Sequence, residues 1–215
     1  MPSPIMDLEL TGRRVTADPL VPRLISRDPR VKATLLRAYQ QAYRWARAAH
    51  RWLVRLASGH GARARWNNSP ASRVFGPYAP HRARHVAQVF RGLIRRFRRG
   101  YEIGGRRRPP TLACFPKSYG RCRTGLLGNA SIFGTVRVCP QLFARGPSEV
   151  AAVVLHELMH QDLGVDDQRH GICTGSKNRC YREGAIDLLR AGRFDLAVHN
   201  IDNFVRFARS VPHGG

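Results

Sequence analysis

Carboxylates are what this chain has least of: 14 Asp and Glu stand against 37 Lys and Arg in 215 residues, a formal net charge of +23. That excess is carried mostly by Arg and lies largely before residue 125. It suits nucleic acid, an anionic membrane or an acidic cell-surface polymer, and equally a merely solvated basic surface; it carries no sequence specificity. No apolar run is long enough to span a bilayer, so no transmembrane segment is expected. The first residues have no continuous apolar core of the secretory kind, so the expectation is either use inside the cell or exit by a leaderless route or delivery that leaves no N-terminal mark. Paired C-x-x-C units are missing too, which excludes the common structural zinc sites. The five cysteines, Cys114, Cys122, Cys139, Cys173 and Cys180, fit two local disulfides with one thiol left over in an oxidising compartment, or free thiols in a cytoplasmic protein. No internal repeat is visible, and a repeat array is not expected.

A hydrophobic fraction of 43% is enough for a globular core. Prolines among β-formers make residues 1–29 an extended arm with room for one strand, and 30–215 the folded domain. Apolar residues from Val31 to Leu56 recur at helical spacing and end at Ser58-Gly59, so a long basic helix runs from Arg30 to Ala57; Trp45 and Trp52, interleaved among its arginines, suit a face that holds nucleic acid or lipid, though an aromatic stripe on a helix is more often core. Gly59–Pro80 reads as a loop, His81–Arg99 as a second basic helix, and Gly100–Pro110 as a break. Thr111–Cys114 and Ser131–Cys139 read as short strands, and Tyr181–Leu189 and Phe194–Arg209 as the last two helices. The class is α+β, mainly α, with a small sheet.

One stretch organises the rest. Val150, Ala151, Val154, Leu155 and Leu158 follow helical spacing, with Ser148 as cap, Glu149 in the first turn and Gly164 as stop, which predicts a helix over 148–163. His156 and His160 then stand one turn apart on one face, where two imidazoles can reach one metal ion, and Glu157 lies beside the first of them. An H-E-x-x-H of this kind arises by chance only about 0.01 times in a chain of this composition. The pattern is that of zinc hydrolases, so Zn2+ is the expected cofactor. The edge of the small sheet would lie beside this helix and could take up an extended peptide by strand addition.

A catalytic zinc takes three protein ligands and leaves a place for water. Downstream candidates are Asp166, Asp167, His170, Glu183 and Asp187. Glu183 with Asp187 resembles the third-ligand segment of thermolysin-like enzymes. Gly164 to Gly171 is similar to the G-T-x-D-x-x-Y-G motif of the aspzincins, the deuterolysin and peptidyl-Lys metalloendopeptidase family, with Val165 for Thr and His170 for Tyr. Further resemblances lie in Val74-Phe75-Gly76, Arg82 to Val86, Val138-Cys139-Pro140 before Phe143, and Ala197 to Phe204, which is close to A-x-x-N-A-D-x-Y. They cover roughly residues 30–209. A gap-free count back from Asn200 would put Asn178 and Tyr181 at the Asp and Tyr positions; Asn is a poor zinc ligand, so Asp167 is the anchor and Glu183 the alternative.

The resemblance implies a zincin-like metallopeptidase domain with its sheet beside the H-E-x-x-H helix, and a zinc-dependent endopeptidase acting on peptide or protein. In it His156, His160 and Asp167 hold zinc, Glu157 is general base, and His170 or Tyr181 donates to the developing oxyanion. Asp202 would line the pocket for the residue after the cut and favour Lys or Arg there. Two other functions fit the composition. One is a zinc amide hydrolase acting on cell wall, as a delivered effector; the other is a basic nucleic-acid-binding protein whose metal site is structural or vestigial.

Overall fold

The computed structural model describes residues 18–116, 118–123, 127–131, 134–160, 163, 165–173, 179–181 and 183–212. Of the expected arm over 1–29, residues 1–17 lie outside this set. The chain divides into two compact units, one formed by Asp18–Arg44 and Gly92–Leu163, the other by Trp45–Arg91 and Gly164–Gly215. Two helices, α1 (Pro29–Ala57) and α4 (Pro80–Arg99), contribute to both.

The first unit is built on a four-stranded sheet. Its strands are β1 (Arg23–Ile25), β4 (Thr111–Cys114), β5 (Gly128–Ala130) and β6 (Thr135–Val138), in the order β1-β4-β6-β5. β1 and β6 flank β4 in parallel, whereas β5 runs antiparallel to β6 along the outer edge. Leu112, Val136 and Val138 leave almost no surface in water and form its apolar side. Helix α6 (Pro147–Met159) packs on β5 and β6, so the sheet does lie beside the H-E-x-x-H helix. A 3-10 turn over Pro140–Arg145 leads into α6, and a disulfide between Cys122 of α5 (Gly120–Arg123) and Cys139 ties α5 to the junction of β6 and that turn. Asp28 caps α1 by accepting the Arg30 amide at 2.7 Å. Tyr39 and Tyr43 of α1 meet Phe97 of α4 at 4.8 and 5.4 Å.

Residues 100–110 are not a plain break. Tyr101–Ile103 (β2) and Arg106–Arg108 (β3) pair antiparallel around Gly104 and Gly105, whose φ values of 57° and 72° belong to a two-residue turn that only glycine adopts without strain.

The second unit centres on aromatic rings. Phe204 and Phe207 of α9 (Ile201–Ser210) lie against Phe75 at 5.0 and 5.4 Å and against Phe90 at 5.5 and 6.0 Å. Residues 59–80, expected as a loop, hold α2 (Ala62–Asn67) and α3 (Pro70–Phe75). Ser69 caps α3, accepting the Ala71 amide, and Pro70 starts it with a preset φ, a signal that the Gly and Asn around it masked. Trp66 is fully buried and donates to the Gly76 carbonyl at 2.9 Å. The last predicted helix is two, α8 (Phe194–Ala197) and α9, because Asn200 turns its side chain back to cap the second. Trp45 and Trp52 of α1 pack inward, the commoner outcome for an aromatic stripe on a helix. Trp45 is buried under Arg209, and Trp52 is half-buried against Phe207.

Candidate metal centre

Helix α6 begins one residue earlier than its pattern suggests. Pro147 occupies the first helical position and Gly146 precedes it, so Ser148 lies inside the helix and is not its side-chain cap. The helix ends at Met159, with His160 in the turn that follows, and Gly164 lies outside the described residues. His156 and His160 are both half-buried, their rings edge to face at 4.9 Å, and their Nε2 atoms 3.2 Å apart. Two nitrogens at about 2.05 Å from one ion subtend roughly 103° at that separation, close to the tetrahedral angle zinc takes. Glu157 is 6% exposed, on the side of α6 that meets β5. A β-carbon at Gly128 would come within 2.7 Å of Val153 Cγ1 and 3.3 Å of Glu157 Oε1. Glycine at this point lets the outer strand approach the carboxylate.

Asp167 is held by contacts from far along the chain. Asp166 forms a parallel bridge with Asn200, its amide donating to the His199 carbonyl at 2.9 Å and its carbonyl accepting the Ile201 amide at 3.2 Å. Arg169 and Arg179 form an antiparallel bridge, the Cys180 amide donates to the Gln168 carbonyl, and a buried disulfide joins Cys173 to Cys180. The loop therefore closes on itself and returns Arg179 and Tyr181 to Asp167. Tyr181 OH donates to Asp167 Oδ2 at 2.7 Å and accepts from Arg179 Nη1 at 2.5 Å; the same guanidinium nitrogen lies 3.6 Å from Oδ2. The Asp167 side chain is 8% exposed. Burial first, then the bond to Asp167, pushes the Tyr181 hydroxyl up to about 12, so it stays protonated through the neutral range.

One ligand atom from each of His156, His160 and Asp167 lies within 4.8 Å of the other two. Two imidazoles and a carboxylate are a donor set zinc accepts, so the residues present fit a metal ion. The other candidates stand differently. Glu183 opens α7 (Glu183–Arg190), and its side chain is outside the described residues. Asp166 is exposed and accepts the Asp167 amide, while Asp187 pairs with Arg190 at 3.5 Å. His170 Nε2 is 2.6 Å from Arg193 Nη1, and because a guanidinium only donates, that nitrogen is an acceptor. Asp202 lies half-buried in the first turn of α9, its amide bonded to Asn200 Oδ1 at 3.0 Å. Asn200, 1% exposed, also donates to the Cys180 carbonyl at 2.8 Å, so one side chain ties the α9 cap to the disulfide loop. Sequence reasoning passed over Arg179 and Asn200. The Asn-x-Asp cap signature would have found the second; no local signal marks the first.

No family model matches the chain, and no curated protein does. Among solved structures the fold is similar to that of a zinc peptidase from Grifola frondosa, with a TM-score of 0.61 and 18% identity over 84% of this chain and 95% of that one. At this identity the likeness is one of fold: a mainly helical α+β fold that is also the fold of a zinc peptidase.

Proposed function

We propose that this chain is a zinc-dependent endopeptidase of aspzincin type. The observation that carries the proposal is the His156, His160 and Asp167 cluster one residue from the buried carboxylate of Glu157; the fold likeness to a zinc peptidase supports it. His156, His160 and Asp167 would hold the zinc, which when bound supplies Lewis acidity to the scissile carbonyl and makes water a nucleophile near neutral pH. Glu157 takes the proton of the attacking water on a carboxylate oxygen and returns it to the leaving amine nitrogen. Tyr181 would donate to the carbonyl oxygen as charge develops there by turning its one proton away from Asp167 Oδ2, while Arg179 keeps the Asp167 carboxylate paired. His170 suits that donor role less, its Nε2 being given over to Arg193. Strand β5, outermost in the sheet and beside Glu157, is the edge along which an extended peptide would lie. Asp202 lines the pocket for the residue after the cut and favours Lys or Arg. Two disulfides fit work in an oxidising compartment, reached by secretion or delivery.

The test is metal analysis of the purified protein together with digestion of a mixed peptide library. The proposal expects about one zinc per chain, cleavage abolished by a chelator and restored by zinc, and Lys or Arg enriched after the cut. Asp202→Asn should reduce that enrichment by about tenfold, a charge-assisted bond being worth roughly 1.5–3 kcal/mol. An intact library beside cleaved wall fragments points instead to an amide hydrolase of cell wall.

A further inference from the structure

The two longest helices contain no acidic residue at all. Exposed helix faces ordinarily mix signs, because like charges one turn apart destabilise the helix and opposite charges support it. On α1 the arginines recur at steps of seven: Arg30, Arg37, Arg44 and Arg51, followed by Arg55, all exposed. A seven-residue step advances about 10.5 Å along a helix and turns the face by only about 20°. The first four therefore form one row about 31 Å long that drifts by about 60° around the helix. Among the described residues none of the five guanidinium groups pairs with a carboxylate; Arg37 and Arg44 reach only Thr34 and Gln41 within α1.

We propose that this row binds the phosphate backbone of double-stranded nucleic acid without reading its sequence. The charge is Arg, whose fork bonds phosphate oxygens in pairs. Over the length of the row a duplex presents about 18 phosphates around its circumference, one per roughly 1.7 Å of axis, so the row crosses the backbone of both strands whatever the sequence. Unpaired bases are disfavoured as the target, because the stacking platform they need is missing: Trp45 is inside the core and Trp52 lies against Phe207. A membrane surface is disfavoured because the large apolar side chains exposed among the described residues, Leu20, Val21, Ile25 and Ile172, are not on α1. The row shares no residue with the metal centre, and its binding does not depend on the peptidase reading.

The experiment titrates the full chain against a labelled duplex of random sequence and about 20 base pairs at several salt concentrations. The native protein should show a steep decline of affinity with salt. R30Q/R37Q/R44Q/R51Q, exposed changes to a residue of similar helix propensity, should lower the log–log slope by about 2 to at most about 3.6, at 0.9 per lost phosphate contact. R84Q/R91Q/R95Q/R99Q removes the same charge from the exposed face of α4 and should lower it by less than about one. Equal losses in the two variants overturn the proposal in favour of an undifferentiated charge blanket. Tighter binding to single strands of the same length, or to phosphatidylglycerol vesicles, overturns it as well. Glu157→Gln should bind the duplex like the native protein, and a loss of binding there rejects the independence of the surface from the metal centre.

Discussion

Glu157 and Asp167 are both carboxylates close to the two histidines, yet their surroundings give them different work. Glu157 projects from the middle of a regular helix toward the outer strand, so Glu157→Gln should keep zinc and lose about 10²-fold or more in turnover. Single-turnover cleavage by zinc-loaded protein measures this, and near-normal rates would remove Glu157 from the base role. Asp167 is instead fixed by Tyr181 and Arg179, its side chain almost out of solvent. Competitive zinc titration should show a much greater loss of affinity for Asp167→Ala than for Glu183→Ala, since removing a carboxylate outside the ligand set typically costs only about 10–100-fold. The reverse order would assign the third ligand to Glu183 and bring the site closer to the thermolysin type.

Among the elements, α4 and the segment before α9 illustrate how a buried polar side chain couples to pH. His85 of α4 bonds the Val198 carbonyl through Nε2 at 3.0 Å, and since a carbonyl only accepts, that nitrogen carries the proton. Burial, and then His199 at 4.5 Å between ring centroids, hold the imidazole below its ordinary range, while the bond to Val198 opposes them. A histidine whose folded value is depressed stabilises the fold above its unfolded pKa, near 6.5, and loses that contribution as pH falls through the folded value. His50, lowered by burial and by Arg91, acts in the same direction. Denaturant unfolding at stepped pH should therefore show stability falling below about pH 6.5, and His85→Gln, which keeps a donor for Val198, should make that fall shallower. An unchanged slope in the variant would show that His85 does not titrate with folding.

At the scale of the whole molecule each compact unit carries its own disulfide, Cys122–Cys139 in one and Cys173–Cys180 in the other, and Cys114 remains a free thiol. The second closes a short loop, worth about 2.5 kcal/mol by chain entropy, and it also returns Arg179 and Tyr181 to Asp167. C173S/C180S should thus lower Tm and cut turnover about tenfold or more, as expected when an oxyanion donor loosens. Zinc affinity should change less, because Asp167 keeps its neighbour's bridge to Asn200. Calorimetry with parallel zinc titration distinguishes the two effects; an equal collapse of zinc binding would mean that the disulfide, and not the bridge, holds Asp167. What the sequence determined alone is whatever depends on the regular geometry of one segment. The four-residue step from His156 to His160 puts both imidazoles on one helix face, and the apolar spacing of α1 and α4 specifies two long helices. The tertiary structure decided what joins segments distant in the chain. Trp45 and Trp52 are interior because α9 packs against that face of α1, Asn200 reaches Asp166 and the Cys180 carbonyl only across the fold, and Arg179 reaches Asp167 only because a bridge and a disulfide fold the loop back. The periodicity of one helix contains no term for such pairings, which is why the histidines were legible in the sequence and Arg179 was not.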